Sequence, residues 1–130
     1  MYQISNKIVS NIDHIKDHKI WISEANFALS HITDDLENLS QNANILEVGS
    51  GSGILLSHLV QKYKELNFTG LEPYAGEFVI LKQFHSALKS INKHLVVSSY
   101  ENFQSNQNFD YIFLINVFEH LDDWKHFLNF

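Results

Sequence analysis

Cysteine is absent from this chain of 130 residues, and proline occurs only once. Without cysteine the chain has no disulfide, no thiolate metal ligand and no thiol nucleophile. Basic side chains are also few, with 9 Lys and Arg against 15 Asp and Glu, which gives a net charge of −6. Because binding to nucleic-acid phosphates depends on clustered basic side chains, this balance argues against nucleic acid as a substrate.

Long apolar runs are missing as well. No stretch approaches the ~20 apolar residues that a membrane span requires, and the first residues lack the layout of a signal peptide. We therefore expect no membrane association and a cytoplasmic location. Histidine is common, yet the helically spaced pair His14 and His18 lacks the glutamate of a metal-binding motif, so we predict no metal site.

What the chain does contain is enough apolar material for one core. Hydrophobic residues make up 45% of the chain and aromatic residues 13%, which is ample for a single domain of this length. Apolar residues recur at helical spacing from Tyr2 to His18, which predicts an amphipathic helix. A second helical pattern runs from Ala25 to Leu39, with Ser23 as its expected N-cap.

The segment between Asn44 and Gly53 organises the rest of the chain, and it reads Asn-Ile-Leu-Glu-Val-Gly-Ser-Gly-Ser-Gly. Its apolar residues are typical of a buried parallel strand, and a helical pattern begins at Ile54. Three glycines between strand and helix allow a sharp turn and a close approach of the backbone to a ligand. The free N–H groups of the helix start favour a polar or anionic group there.

Two other glycine motifs fit this turn less well. A dinucleotide fingerprint would require glycine at Ile54, and a Walker-type phosphate loop would require a lysine, which does not occur between Asn44 and Gln61. A glycine-rich turn that serves only strand-to-helix geometry stays open as an alternative.

The remaining pattern, Glu47-x-Gly-x-Gly-x-Gly53, resembles the first motif of class I S-adenosylmethionine-dependent methyltransferases. Two further segments resemble later motifs of that family. A second strand from Asn67 ends in Glu72, and the segment from Phe109 to Leu121 is similar to the fourth strand of the small-molecule branch, running into Glu-His-Leu. The resemblance covers about Ala25 to Phe130.

The resemblance implies that S-adenosylmethionine is the cofactor and S-adenosylhomocysteine the product. It implies that Glu47 faces the methionine ammonium group and that Glu72 binds the ribose hydroxyls. The full expected cofactor set is Glu47, Gly49, Gly51, Gly53, Glu72, Pro73, Tyr100, Glu101 and Asn116. If the acceptor is a hydroxyl or an amine, His120 is the first candidate base and Glu119 the second. Alternatively, these two residues simply occupy the first turn of the last helix.

Strands and helices alternate along the chain, with a third strand from Leu95 to Ser98 and a helical pattern between Pro73 and that strand. We therefore predict an α/β fold, a Rossmann-like parallel sheet of strand order 3-2-1-4 flanked by helices. Residues 1–130 would form one domain, with a cap-helix region over residues 1–22 and the Rossmann-like core over residues 23–130.

The family's sheet has further strands beyond the fourth. We therefore expect this chain to be either a truncated methyltransferase domain or a natural minimal form. Strand four, Asp110 to Ile115, would then be an apolar edge that pairs with a second copy or a partner protein. Two functions stay open: methyl transfer to a small molecule or a protein side chain, and a non-catalytic S-adenosylmethionine-binding module that needs a partner.

Overall fold

The structure is a computed structural model that describes residues 3–6, 8–9, 18–73 and 94–115. The helices and strands bounded there follow one another in the order helix α1 (His18–Glu37), strand β1 (Asn44–Val48), helix α2 (Ile54–Lys62), strand β2 (Asn67–Leu71), strand β3 (Leu95–Val96) and strand β4 (Tyr111–Leu114). The helix predicted between Pro73 and β3 lies outside the described residues.

The four strands form one sheet in the order β3-β2-β1-β4, and every pair is parallel. This confirms the predicted fold class and strand order. β1 lies between β2 and β4. It is buried along its length except at Asn44, as its apolar run predicts. In the register of the sheet, Glu47 lies between Gly70 of β2 and Phe113 of β4.

Each face of the sheet carries its own apolar cluster, because successive strand residues point to opposite faces. Ile45 belongs to the larger cluster, which contains the buried side chains of α1 and α2. Leu46 and Val48 belong to the smaller one, together with Leu71 and Tyr100. The helices α1 and α2 therefore cover the same face of the sheet as Ile45 and Glu47.

The N-terminal residues pack onto these helices. Ile4 and Ile8 are buried in the larger cluster. The Ile4 N–H donates to Oδ1 of Asn26 at 2.7 Å, and the Ser5 N–H donates to Nδ1 of His58 at 3.2 Å. These two hydrogen bonds and the two isoleucines attach the segment to α1 and α2.

Two predicted helix starts are wrong. Residues 3–5 are not helical, and the Ser5 carbonyl accepts helical hydrogen bonds from Ile8 and Val9. Ser23 is not an N-cap, because α1 already includes His18 and passes through Ser23. Trp21 and Ile22 pack against the core, and that packing extends the helix beyond the capping signal. The helix also continues across the predicted boundary between residues 22 and 23.

Membrane-spanning helices were not expected from the sequence. Among the residues that the structure describes, no helix has both the length and the apolar character needed to cross a membrane.

The hydrogen bond between Ser5 and His58 predicts a pH dependence of stability. Burial lowers the pKa of His58 below 6.5, and the charge of Lys62 lowers it further. The folded state therefore holds fewer protons on this ring than the unfolded state does. We expect the stabilisation to be complete above pH 6.5 and to be lost as the pH falls below it. Loss of the hydrogen bond itself would cost about 1 kcal/mol.

Thermal unfolding at several pH values between 5 and 8 would measure this effect. The variant His58→Gln, which does not titrate, should show a weaker decline in Tm toward acid than the wild type. His31→Gln, which alters an exposed histidine of α1, should decline like the wild type. A His58→Gln variant with the wild-type pH profile would contradict the assignment.

Candidate functional site

The glycine turn after β1 has the backbone conformation that the sequence predicts. Gly49, Gly51 and Gly53 have φ angles of 83°, 55° and 83°, a region that L-residues with side chains rarely adopt. Gly53 is the N-cap of α2, which begins at Ile54, and the Ile54 N–H donates to Oγ of Ser52 at 3.4 Å. The first N–H groups of α2 are therefore directed toward the turn.

Hydrogen bonds join this turn to the end of β2. The N–H groups of Gly49 and Ser50 both donate to the Leu71 carbonyl, at 2.8 and 2.9 Å. The Gly51 N–H donates to Oε1 of Glu72 at 3.0 Å. The structure thus brings Glu72, the acid predicted to bind ribose, against the turn that follows β1.

Glu47 is a buried acid near the same carboxyl-terminal end of the strands. Its side chain is 5% exposed, and neither its Oε2 atom nor the Ser50 hydroxyl has a hydrogen-bond partner among the described residues. Burial raises the pKa of Glu47 to about 8; the charge of Glu72 raises it further, while the nearby Ser50 hydroxyl partly opposes the shift. At neutral pH the carboxyl is therefore mostly protonated, and a cationic donor would favour its ionised form.

A cleft of about 240 Å³ opens between α1 and the glycine turn. Its walls are α1 on one side and the turn with the start of α2 on the other. The lining residues are Ile20, Trp21, Glu24, Ala25, Ala28, Glu47, Gly49, Ser50, Gly51, Ser52, Ile54, Leu55 and Ile115. Three of the predicted cofactor residues, Glu47, Gly49 and Gly51, therefore line one cleft.

Gly70 supports this site and was missed by the sequence analysis. A Cβ atom added at Gly70 would collide with the Ser50 hydroxyl and lie 2.8 Å from Cδ2 of Leu56. Because Gly70 has no Cβ atom, the glycine turn and α2 can pack closely against β2. A glycine inside a predicted strand was the available signal, since such residues often mark a close approach of another backbone segment.

The other predicted site residues lie in different surroundings. Pro73 is exposed next to Glu72, and Glu101 is exposed in the segment after β3. Tyr100 is 3% exposed and packs in the smaller apolar cluster. Asn116, Glu119 and His120 lie outside the described residues. The contacts that these six residues make with a cofactor or an acceptor stay predictions.

The arrangement can bind a ligand with both polar and apolar parts. The start of α2 supplies N–H donors, Glu72 and Glu47 supply carboxyl oxygens, and Trp21 and Ile20 supply apolar surface. No group of three or more His, Asp and Glu side chains in the described ranges is arranged to hold a metal ion. The combination of N–H donors, carboxyl oxygens and apolar surface in one cleft is suited to binding and orienting an organic ligand.

Burial of Glu47 predicts that stability falls as the pH rises. The folded state keeps this proton up to a pH of about 8, whereas the unfolded state releases it near pH 4.5. Between these values the folded state holds more protons, so alkali favours unfolding. The variant Glu47→Gln should be more stable than the wild type at pH 9, by roughly a few kcal/mol, and the difference should shrink toward pH 5.

Urea unfolding at pH 5, 7 and 9 would measure the difference. Glu65→Gln is the matched control, because it removes the same charge from an exposed turn. The interpretation would fail if Glu47→Gln and Glu65→Gln changed the pH profile equally.

The chain is similar to several known methyltransferases. N-methyltransferase 4 of Papaver somniferum is 26% identical over 117 residues, 88% of this chain and 33% of the relative. (S)-Tetrahydroprotoberberine N-methyltransferase of Eschscholzia californica is 23% identical over 88% of this chain and 33% of the relative. The plantazolicin methyltransferase BpumL, solved in complex with SAH, superposes with a TM-score of 0.57 at 18% identity, over 95% of this chain and 46% of that one.

The chain thus spans about a third of the length of these two curated relatives. Residues 12–130 match the family described as "Methyltransferase domain". That match includes α1, β1, the glycine turn and the start of α2, which carry most of the residues that line the cleft, and it also includes Glu72 and β4. The chain belongs to the methyltransferase domain family.

Proposed function

We propose that this chain binds S-adenosylmethionine at the glycine turn and takes part in transfer of its methyl group to an acceptor. The observation that carries the proposal is the placement of two acids at the carboxyl ends of the neighbouring strands β1 and β2. Glu72 accepts a hydrogen bond from the turn itself, and Glu47 lies buried in the cleft beside it. An acid at each of these strand ends matches the two polar ends of the cofactor.

The described residues fit the cofactor. The unpartnered Oε2 atom of Glu47 requires a donor, and the methionine ammonium group would supply one. Glu72 has carboxyl oxygens at the end of β2, where a ribose diol needs acceptors. The glycines of the turn carry no side chains that would hinder a close approach of the ligand to the backbone.

S-adenosylmethionine supplies an activated methyl group on a sulfonium centre, so the protein needs no nucleophile of its own. The contribution of this chain is to bind, orient and exclude water. Trp21 and Ile20 on α1 form an apolar wall opposite the turn. Ile115, directly after β4, adds further apolar surface to the cleft. The acceptor itself would be a small molecule or a protein side chain.

Binding without turnover is the second candidate function. The share of the relatives' length that this chain spans, about a third, is consistent with it but does not favour it. The cytoplasmic location, expected from the sequence because it shows no membrane span and no signal-peptide layout, stays a prediction. A cofactor-binding measurement tests what both candidates share.

Removal of the Glu72 carboxylate should weaken binding of S-adenosylhomocysteine. We expect Glu72→Ala to lower the affinity at least about tenfold, because hydrogen bonds to a charged acceptor are lost. Titration calorimetry with S-adenosylhomocysteine would measure the change. A folded wild type that does not bind this ligand would falsify the proposal.

Glu72 also supports the turn, so a second variant is needed. Glu72→Gln keeps an oxygen that can accept from the Gly51 N–H and replaces the other oxygen with a donor. A loss of affinity in both variants would identify a ligand contact, whereas a loss in Glu72→Ala alone would identify support of the turn. Glu65→Ala, in an exposed turn, is the control for charge.

We also propose that the outer edge of β4 associates with a second copy of the chain. Among the described strands β4 pairs only with β1, and Ile112 is 41% exposed. Unpaired strand edges with apolar side chains favour such association. Sedimentation at micromolar concentration should reveal a dimer that Ile112→Lys weakens, while Ile20→Lys, at another exposed isoleucine, should not. A monomeric wild type would remove the proposal.

A further inference from the structure

The ionisable side chains that line the cleft are all acids. Glu24 and Glu47 are its ionisable lining residues, and none of the lining residues is Lys, Arg or His. Glu72 adds a third acid beside the turn. A cleft with this lining attracts cations and repels anions.

The two acids of the lining occupy different positions. Glu47 lies at the end of β1 and is buried, with an unpartnered oxygen, whereas Glu24 lies on α1 and is exposed. If Glu47 takes the ammonium group of the cofactor, Glu24 is left for another cation. The side chain of Glu24 has no hydrogen bond or ion pair within the described residues.

Trp21 adds an aromatic side chain to the α1 wall of the cleft, next to Ile20. It lines the cleft and is half-buried against the core, so its ring is held in place. The face of an indole ring is the most favourable aromatic surface for a cation, and ammonium groups bind there in other proteins. Ile20, 57% exposed, offers apolar surface beside it.

We propose that the α1 wall of the cleft, formed by Ile20, Trp21 and Glu24, binds the positively charged nitrogen and apolar body of an amine acceptor. The proposal rests on the proposed function and deepens it by naming the class of acceptor. Glu24 supplies the charge, Trp21 the aromatic surface, and Ile20 the contact with the apolar body. Carboxylate and phosphate acceptors are disfavoured by the same lining.

Benzyltrimethylammonium is a suitable probe, because its charge does not depend on pH. Calorimetry on the full chain saturated with S-adenosylhomocysteine should detect binding of this cation and little binding of phenylacetate. Glu24→Gln should weaken the cation about threefold, and Glu24→Lys should weaken it further. Glu65→Gln and Glu65→Lys make the same charge changes far from the cleft and should have no effect. Glu65 lies near the amino-terminal end of β1, where its backbone carbonyl accepts a hydrogen bond from the Asn42 N–H.

Trp21 requires a test that separates binding from folding. Trp21→Leu keeps apolar bulk and should weaken the cation about fivefold, with little change for the neutral probe benzyl alcohol. Trp21→Phe should recover part of the loss. Thermal unfolding of both variants establishes that they are folded. Equal losses for the cation and for benzyl alcohol would indicate simple packing and overturn the role of the ring.

The remaining outcomes also decide the matter. If S-adenosylhomocysteine binds and the cation does not, the amine proposal falls while the proposed function stands. If the cation binds only to the free protein and is displaced by S-adenosylhomocysteine, the acids serve the cofactor alone and the proposal is overturned. If S-adenosylhomocysteine itself fails to bind a folded chain, the proposed function falls and this proposal falls with it.

Discussion

The hydrogen bonds between the glycine turn and the end of β2 are the constraint on which the site depends. Two consecutive amides, those of Gly49 and Ser50, share the Leu71 carbonyl, and the next glycine donates to Glu72. These bonds hold the turn over the end of β2, and α2 starts from that position. They form because β1 and β2 pair in a register that sets Glu47 opposite Gly70. In this register the Ser50 side chain approaches β2 closely at Gly70, which has no side chain.

Burial of Glu47 links stability to binding. The carboxyl lies in a central strand between Gly70 and Phe113, with one oxygen that has no partner in the described part of the chain. Desolvation disfavours its charged form, so the folded protein keeps a proton on this carboxyl that the unfolded, solvated chain would release. A cationic ligand group removes that penalty. Residues that cost stability in this way are common at functional sites.

Helix α1 has two roles that follow from its amphipathic pattern. Its buried residues, among them Ala28 and Leu29, pack on the sheet, and the Tyr111 hydroxyl of β4 donates to Asp35 at 2.8 Å. Near its start, Trp21 and Glu24 line the cleft. The same helix therefore builds the core and presents aromatic and acidic groups to the cleft.

Local backbone chemistry is what the sequence by itself determined. The apolar run of β1, the left-handed glycines and the helix start at Ile54 all follow from the properties of neighbouring residues. The alternation of strands and helices also predicted the parallel sheet and its order, because right-handed crossovers leave few arrangements.

Only the tertiary structure decided which distant groups meet. The start of α1 before Ser23 follows from packing of Trp21 on the core, and the attachment of Ser5 to His58 joins segments far apart in sequence. Tyr100 packs in the smaller cluster beside the sheet, which its position after β3 did not reveal. The physical reason is that capping and turn preferences act over a few residues, whereas burial is set by whichever remote side chains complete the core.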